Sequence, residues 1–186
     1  MDILSYPFDT EEILRRRRSI KKELLTDGRS RIKKKIAVLC GSTADEIVSI
    51  MELFLLDACI EPSFFISEYN QYWQDAMFGN IELSEFGPDI IFLHTTYRNL
   101  SNFFPETKDS EEMVNEKFEG AIAYFSQMWD KLASDFGCPV IQNNFEPPFY
   151  RLLGNRDATD IRGQLNFVNR VNAAFQERAL DRKSVV

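Results

Sequence analysis

The sequence predicts an α/β fold, a doubly wound parallel sheet with helices on both faces. Residues 36–40 form a short apolar run, the turn Gly41-Ser42-Thr43 follows, and residues 44–58 take up helical spacing. A strand, a turn and a helix start in this order are half of a parallel βαβ unit. Further apolar segments alternate with helical ones, and right-handed crossovers between them predict the strand order 2-1-3-4 in a three-layer sandwich.

The composition is typical of one globular domain and excludes several classes of protein. The chain has 186 residues, 16 of them Phe, and a formal net charge of −7. No apolar run reaches the roughly 18 residues that a membrane span needs, so no membrane partner is expected. The first residues lack a signal-peptide pattern, which predicts a cytoplasmic location. Buried thiols, rather than a disulfide or metal site, are expected at Cys40, Cys59 and Cys138, because there is no C-x-x-C pair and only one His.

A basic arm, residues 1–34, is expected to precede the α/β domain, residues 35–186. Residues 15–35 carry 11 basic and two acidic side chains. The helix within the arm has a narrow apolar stripe, which predicts that it packs lightly on the domain. Its charges are expected to be solvated, or to face an acidic surface of this protein or of a partner. A nucleic acid or an anionic surface is the less favoured partner.

The other elements follow in order along the chain. Residues 68–80 are rich in aromatic and amide side chains without a clean core pattern, so they are expected to form a loop after a strand. Gly137 ends the long helix, and Pro139 prevents its continuation. The pair Val185-Val186 predicts a fifth strand, at which the chain is expected to be cut. The predicted helices run from Asp9 or Thr10 to about Leu25 and over 44–58, 111–136 and 164–180, and the strands cover 36–40, 62–67, 88–96 and 139–142.

Four loops are expected to meet at the rim formed by the carboxyl ends of the strands. In open α/β sheets this rim is where ligands bind. The side chains of the loops can hold an oxyanion, a carboxylate or a phosphoester. The candidate site residues are Gly41, Ser42, Thr43, Tyr69, Asn70, Tyr72, His94, Thr95, Arg98, Asn99, Asn143, Asn144, Glu146 and Arg151.

Ser42 is a candidate nucleophile, which requires a base within hydrogen-bond distance. The single His of the chain, His94, lies near the end of the strand that is expected to neighbour the strand before Ser42. Three roles stay open for His94: a structural side chain, a ligand contact or a general base. Ser42 itself is alternatively a turn and helix-cap residue, since no Gly-x-Ser-x-Gly elbow surrounds it.

The other candidates also have structural alternatives. Asn is a common turn former, so the Asn residues at the rim need not contact a ligand. Arg98 and Arg151 are anion clamps or simply solvated side chains, and the aromatic residues of 68–80 form a stacking wall or pack the loop. No phosphate-binding, dinucleotide-binding or Asp-x-Asp-x-Thr motif occurs, so the chain offers no support for a nucleotide or a phosphoaspartyl mechanism.

Seven of these stretches together resemble the N-terminal domain of FkbH-like proteins. They occur in the order of that family and span nearly the whole chain, which is more specific than any single stretch. The matching segments are 13–25, 35–43, 52–56, 67–72, 88–91, 141–146 and 151–155.

The resemblance implies a domain similar to SGNH hydrolases, a flavodoxin-like three-layer sandwich. In the family this domain is followed by a haloacid dehalogenase-like domain that uses Mg and handles glyceryl or acyl transfer to a carrier protein. The resemblance places Ser42 at the nucleophile position and Gly79 and Asn99 near the oxyanion Gly and Asn. The Asp-Leu-Asp-Asn-Thr motif of the second domain and the late Asp-x-x-His block of SGNH enzymes are absent from the chain.

The expected function is therefore that of the N-terminal part of an FkbH-like protein. The rim around Ser42 would bind an acyl or glyceryl group, or the acyl carrier protein or downstream domain that presents it, and the chain itself would need no cofactor. One alternative is an SGNH-type esterase or acyltransferase that uses Ser42. The other is an interaction module without a ligand site.

Overall fold

The computed structural model describes residues 2–182 and contains one four-stranded, all-parallel sheet in the order β2-β1-β3-β4. This confirms the predicted α/β class and the predicted strand order. The strands are β1 (Ile32–Cys40), β2 (Ile60–Ile66), β3 (Ile90–His94) and β4 (Val140–Gln142). The helices are α1 (Thr10–Thr26), α2 (Asp45–Asp57), α3 (Tyr72–Phe78), α4 (Ile81–Phe86), α5 (Glu111–Phe136) and α6 (Gln164–Arg182), and short 3₁₀ helices cover Asp2–Leu4, Tyr97–Phe103 and Gly154–Arg156.

The central strand β1 is buried on both faces at its carboxyl half. Ala37 and Leu39 lie in the larger hydrophobic core, on the face covered by α5 and α6. Ile36, Val38 and Cys40 lie in a separate core cluster on the opposite face, with Val48 of α2. Side chains alternate across a strand, so a continuous apolar run fills two cores, which is the pattern of a strand covered by helices on both sides.

Helix α1 packs firmly, and the prediction that it packs lightly is wrong. Its residues Ile20 and Leu24 are 0% and 1% exposed and contact Leu53 and Leu56 of α2. The stripe is narrow, but it faces an equally apolar stripe, and burying side chains of this size contributes about 2 kcal/mol each. The division of the chain into an arm, 1–34, and a domain, 35–186, stays a prediction.

Helix α3 lies within residues 68–80, where a loop was predicted, and α4 follows it in residues 81–86, for which no element was predicted. Asn80 caps α4 by accepting the Leu83 N–H at 3.1 Å. Both are short, so hydrophobic periodicity cannot define them. The predicted fifth strand, 183–186, lies outside the described residues. In the part of the chain that is described, no helix has the length and apolar character to cross a bilayer.

Candidate functional site

The register of the sheet brings the candidate nucleophile and the single His together. β1 and β3 are parallel neighbours, and Cys40 pairs with His94 at the carboxyl end of both strands. The Gly41 N–H donates to the His94 carbonyl at 2.8 Å, which extends the pairing by one residue. The chain then turns at Ser42, and α2 begins three residues later.

The Ser42 hydroxyl oxygen lies 3.2 Å from Nε2 of His94, which is within hydrogen-bond distance. Ser42 lies in the turn after β1, and His94, 52 residues later, ends β3; the two side chains meet because these strands are adjacent. Of the roles left open for His94, this contact supports a partner of Ser42 over an isolated structural side chain. A hydroxyl hydrogen bonded to an imidazole is the arrangement that activates a serine nucleophile.

The electrostatics favour a neutral imidazole. Burial lowers the pKa of His94 below its ordinary value of 6.5, and the Glu146 carboxylate opposes this with a smaller upward effect. At neutral pH the ring therefore has one unprotonated nitrogen, which is the form that accepts a proton. Within residues 2–182, no carboxylate hydrogen bonds to the second ring nitrogen, so Glu146 acts on His94 through its charge alone.

Asn99 is fixed beside Gly41 by its own local hydrogen bonds. The Asn99 Oδ1 atom accepts the Thr96 N–H at 2.8 Å in a capping box at the start of the 3₁₀ helix. Its Nδ2 donates to the Gly41 carbonyl at 3.2 Å and to the Asn70 Oδ1 at 3.4 Å. A Cβ atom on Gly41 would lie 2.6 Å from the Asn99 side chain, so this close approach requires glycine at position 41.

A cavity of about 490 Å³ opens at this point. Its size falls within the range of small-molecule sites. Among residues 2–182, the Ser42 N–H has no hydrogen-bond partner, so it is a free donor beside the Ser42 hydroxyl, whereas both N–H groups of Asn99 Nδ2 already donate to Gly41 and Asn70. The cavity, called here the Ser42 pocket, is lined by Gly41, Ser42, Tyr69, Asn70, Thr96, Tyr97, Arg98, Asn99, Glu146, Pro147 and Phe149.

The structure brings together seven of the predicted site residues in this lining and leaves others elsewhere. Gly79 lines a separate depression with Asp75 and Asn80, on the far side of α3. Thr43 and Arg151 are exposed and do not line the Ser42 pocket. Asn144 is also exposed outside this lining.

The amide of Asn143 is engaged with the sheet. Its Oδ1 accepts the Thr95 N–H at 2.9 Å, and its Nδ2 donates to the Thr95 carbonyl at 2.7 Å. It thus continues the pairing of β3 with β4 beyond the last strand residue. The buried Gln142 donates to the Thr95 hydroxyl at 2.8 Å, so Thr95 is held within the sheet rather than lining the Ser42 pocket.

Several lining residues were not predicted from the sequence. Thr96 and Tyr97 begin the 3₁₀ helix, and the Tyr97 N–H donates to the Glu146 carboxylate at 3.3 Å, which joins two of the loops. Pro147 and Phe149 lie in the loop after β4. For Thr96 and Tyr97 the sequence did contain a signal, the helix-capping pattern of Thr96 followed three residues later by Asn99.

No group of three or more His, Cys, Asp or Glu side chains among the described residues is arranged to hold a metal ion.

Comparisons with known proteins support the fold. No protein-family model matches the chain, and no curated protein sequence matches it. A solved crystal structure of the N-terminal part of the protein BF1531 from Bacteroides fragilis, which contains a phosphatase domain and was complexed with Mg, is similar with a TM-score of 0.70 and 14% sequence identity.

The similarity covers 89% of this chain and 42% of that chain, so this chain spans less than half the length of the protein it matches. At this level of identity the likeness concerns the fold. It supports the resemblance to the N-terminal domain of FkbH-like proteins as far as architecture goes, and the similarity to SGNH hydrolases stays a prediction. The chain thus shares its three-layer α/β fold with part of a protein that also contains a phosphatase domain.

Proposed function

We propose that the Ser42 pocket binds an acyl ester or thioester and that Ser42 acts as an acyl-accepting nucleophile. The observation that carries this proposal is the 3.2 Å distance between the Ser42 hydroxyl and Nε2 of His94, where Ser42 lines a cavity large enough for a small ligand. A turn or cap residue needs no such partner. In a purely structural interaction module, the side chains of the protein itself would be expected to fill the rim. The open cavity beside Ser42 does not favour that alternative.

The proposed first step is attack of the Ser42 oxygen on the acyl carbonyl carbon. His94 Nε2 takes the hydroxyl proton as the bond forms, and the negative charge moves to the carbonyl oxygen. The Ser42 N–H is the free candidate donor to that oxygen, and Asn99 Nδ2 becomes a second donor when it exchanges its 3.4 Å hydrogen bond to the Asn70 side chain for one to the oxyanion. When the tetrahedral intermediate collapses, the bond to the leaving alcohol or thiol breaks, and the proton on His94 passes to it.

The acyl group then rests on Ser42 as an ester. A second acceptor, water or an alcohol, loses a proton to His94 and attacks the same carbonyl, and the proton returns to the Ser42 oxygen as that ester breaks. The chemistry is hydrolysis with water and acyl transfer with an alcohol. Glu146 stabilises the protonated imidazole by its charge, because its effect on the pKa of His94 is upward.

A fluorophosphonate probe tests the nucleophile directly. We expect labelling of the wild-type protein, and we expect Ser42→Ala to abolish it. Ser63→Ala is the matched control, since Ser63 is exposed on β2 and away from the pocket lining. A folded wild-type protein that is not labelled, or labelling that survives in Ser42→Ala, contradicts the proposal.

A second candidate is that the pocket holds an acyl or glyceryl group, or the carrier protein bearing it, for a phosphatase-like domain that would use Mg. The phosphatase domain of the structural neighbour supports this alternative. So does the placement of the basic helix. Arg17 lies 3.8 Å from Glu46, and Lys21 lies 2.6 Å from Glu52, so α1 runs parallel to α2 and its amino end is near the rim.

The carrier hypothesis is tested by changing Arg15 and Arg18 to Glu and measuring the affinity for an acyl carrier protein by calorimetry. Both side chains are exposed, with Arg15 3.8 Å from Glu12, whereas Arg16 and Arg17 are less exposed and lie against Glu12 and Glu46. The charge-matched control changes to Glu two exposed lysines away from the amino end of α1, Lys22 and Lys33. We expect about tenfold weaker binding for the first variant and no change for the control. Equal affinities of the two variants would show that the amino end of α1 does not contribute to binding of the carrier protein.

A further inference from the structure

A second cavity of about 220 Å³ adjoins the Ser42 pocket. It is called here the Trp73 pocket, and Asn70, Arg98 and Asn99 line both cavities. The shared residues place the two cavities side by side, with Asn99 between them. A ligand whose reactive bond lies at Ser42 can therefore reach the Trp73 pocket past Asn99.

One side of the Trp73 pocket is a fixed aromatic wall. The rings of Trp73 and Tyr124 are stacked, with centroids 3.9 Å apart and planes 9° apart. Phe103 packs against Tyr124 at 5.6 Å. The Tyr124 hydroxyl donates to the Tyr72 hydroxyl at 3.3 Å, which ties α5 to α3 below the wall. Aromatic surfaces that are held in this way offer an apolar face without a loss of side-chain entropy on binding.

The other side of the Trp73 pocket consists of uncharged hydrogen-bonding groups. Gln74, Ser101 and Asn102 line it and are exposed, and within the described residues none of these three side chains has a hydrogen-bond partner. Each amide offers donors and an acceptor, as a ligand hydroxyl does. No acidic residue lines the pocket, and Arg98 is its one charged residue.

We infer that the Trp73 pocket binds a polyhydroxylated ring, so that the substrate is an ester of a sugar or a similar cyclic polyol. This inference rests on the proposed function of Ser42. A sugar ring has hydroxyl groups for the amide side and C–H faces for the aromatic wall. The volume accommodates one ring, and the polar lining does not suit an alkyl chain, whose burial would leave the amides unpaired.

Turnover of two acetate esters tests the inference. The probes are 6-O-acetyl-D-glucose, which carries the ring, and ethyl acetate, which lacks it, and released acetate is measured. We expect a kcat/KM for the sugar ester at least tenfold above that for ethyl acetate. The double variant Gln74→Leu/Asn102→Leu is expected to lower this ratio about tenfold, because it removes two of the side chains that would hydrogen bond to the ring. Gln127→Leu, exposed on α5 outside the pocket lining, is the control and keeps the ratio.

Binding without turnover separates the two proposals. Saturation-transfer NMR on Ser42→Ala with methyl β-D-glucopyranoside is expected to show transfer to the ring protons, which the double variant abolishes. If both esters are turned over with equal kcat/KM and no saturation transfer is seen, the sugar site is overturned and the proposal for Ser42 stands. Saturation transfer without turnover of either ester supports the sugar site and contradicts the role of Ser42.

Discussion

The two ends of β1 hold polar groups in opposite ways. Near its amino end, Arg29 and Arg31 donate to backbone carbonyls where helices end: Arg31 to Leu24 and Leu56, and Arg29 to Asp57. At its carboxyl end, Ser42 and Asn99 line a cavity. The first arrangement uses charged side chains to satisfy helix ends and stabilises the packing of α1 on α2. The second leaves donors and a nucleophile next to open space.

The amino end also shows how charge is used for stability. Arg31 is 7% exposed at its side chain and lies 2.8 Å from the Asp27 carboxylate. Hydrogen bonding from the Arg29 N–H, the largest cause, lowers the pKa of Asp27 to about 2. Because the folded-state pKa lies below the ordinary value of 3.8, this stabilisation is present above pH 4 and is lost as the pH falls towards 2. The two ends differ in what surrounds the polar groups: at the amino end they hold helix ends together, and at the carboxyl end hydrogen-bonded side chains border a cavity.

The largest expected effect concerns the base at the carboxyl end. Replacing His94 with Gln removes the proton acceptor of Ser42, and general-base catalysis contributes about 10²–10⁴-fold to rate. We expect the fluorophosphonate labelling rate to fall by about that factor. The thermal unfolding temperature of the variant is measured as a control. If the labelling rate falls because the variant is less stable, His94 has a structural role, and the two ends of β1 do not differ in the way described.

Gly41→Ala is the next most disruptive change. The added Cβ would lie 2.6 Å from Asn99, so it displaces the amide proposed to donate to the oxyanion, and the labelling rate is expected to fall about 100-fold. The double variant Gly41→Ala/Asn99→Ala gives the check. Its loss should equal that of Asn99→Ala alone, because the two residues act through one contact. Additive losses would show that Gly41 matters for another reason.

Arg31→Ala tests the amino end. It leaves the Leu24 and Leu56 carbonyls and the Asp27 carboxylate without this donor, and we expect the free energy of unfolding in urea to fall by about 2 kcal/mol. Labelling of Ser42 should keep its rate. Lys33→Ala, at an exposed position of β1 two residues after Arg31, is the control for removing a positive charge. A labelling defect in Arg31→Ala would mean that the two ends are coupled.

The pH dependence of labelling sharpens the assignment of His94. Burial lowers its pKa below 6.5, and only the neutral ring accepts the proton from Ser42. The rate is therefore expected to be constant at pH 7 and above, and to fall about tenfold per pH unit below a midpoint under 6.5. The residual labelling rate of His94→Gln should not show this fall at low pH. A midpoint above 6.5 in the wild-type protein would contradict the role of burial.

The smallest effect is expected for Tyr72→Phe. The buried Tyr72 hydroxyl accepts the Tyr124 O–H at 3.3 Å, and burial raises the pKa of Tyr72 although the nearby Asn99 amide opposes this rise. Loss of the hydroxyl loosens the orientation of Asn99, so the labelling rate should fall about threefold. Tyr6→Phe serves for comparison, because the Tyr6 side chain is exposed and lies outside the linings of both pockets. Equal effects of both changes would remove Tyr72 from the positioning of Asn99.

The sequence was sufficient for the sheet and for the long helices. The apolar run before Gly41 predicted the central strand, and the periodicity of 111–136 matched α5 from end to end. The alternation of segments predicted the neighbouring positions of β1 and β3, and with them the approach of residues 42 and 99 to one pocket. These features depend on hydrophobic pattern and chain topology, which a sequence displays directly.

Side-chain partners required the tertiary structure. The sequence left Ser42 between nucleophile and cap, His94 among three roles, and Asn143 as a candidate ligand contact. Packing brought His94 to Ser42 and paired the Asn143 amide with the Thr95 backbone. It also buried the narrow apolar stripe of α1 against α2 more firmly than the sequence predicted. Pattern specifies which face of an element is buried, whereas hydrogen-bond partners depend on register and on loop conformation to within an ångström, and only the packed chain sets those.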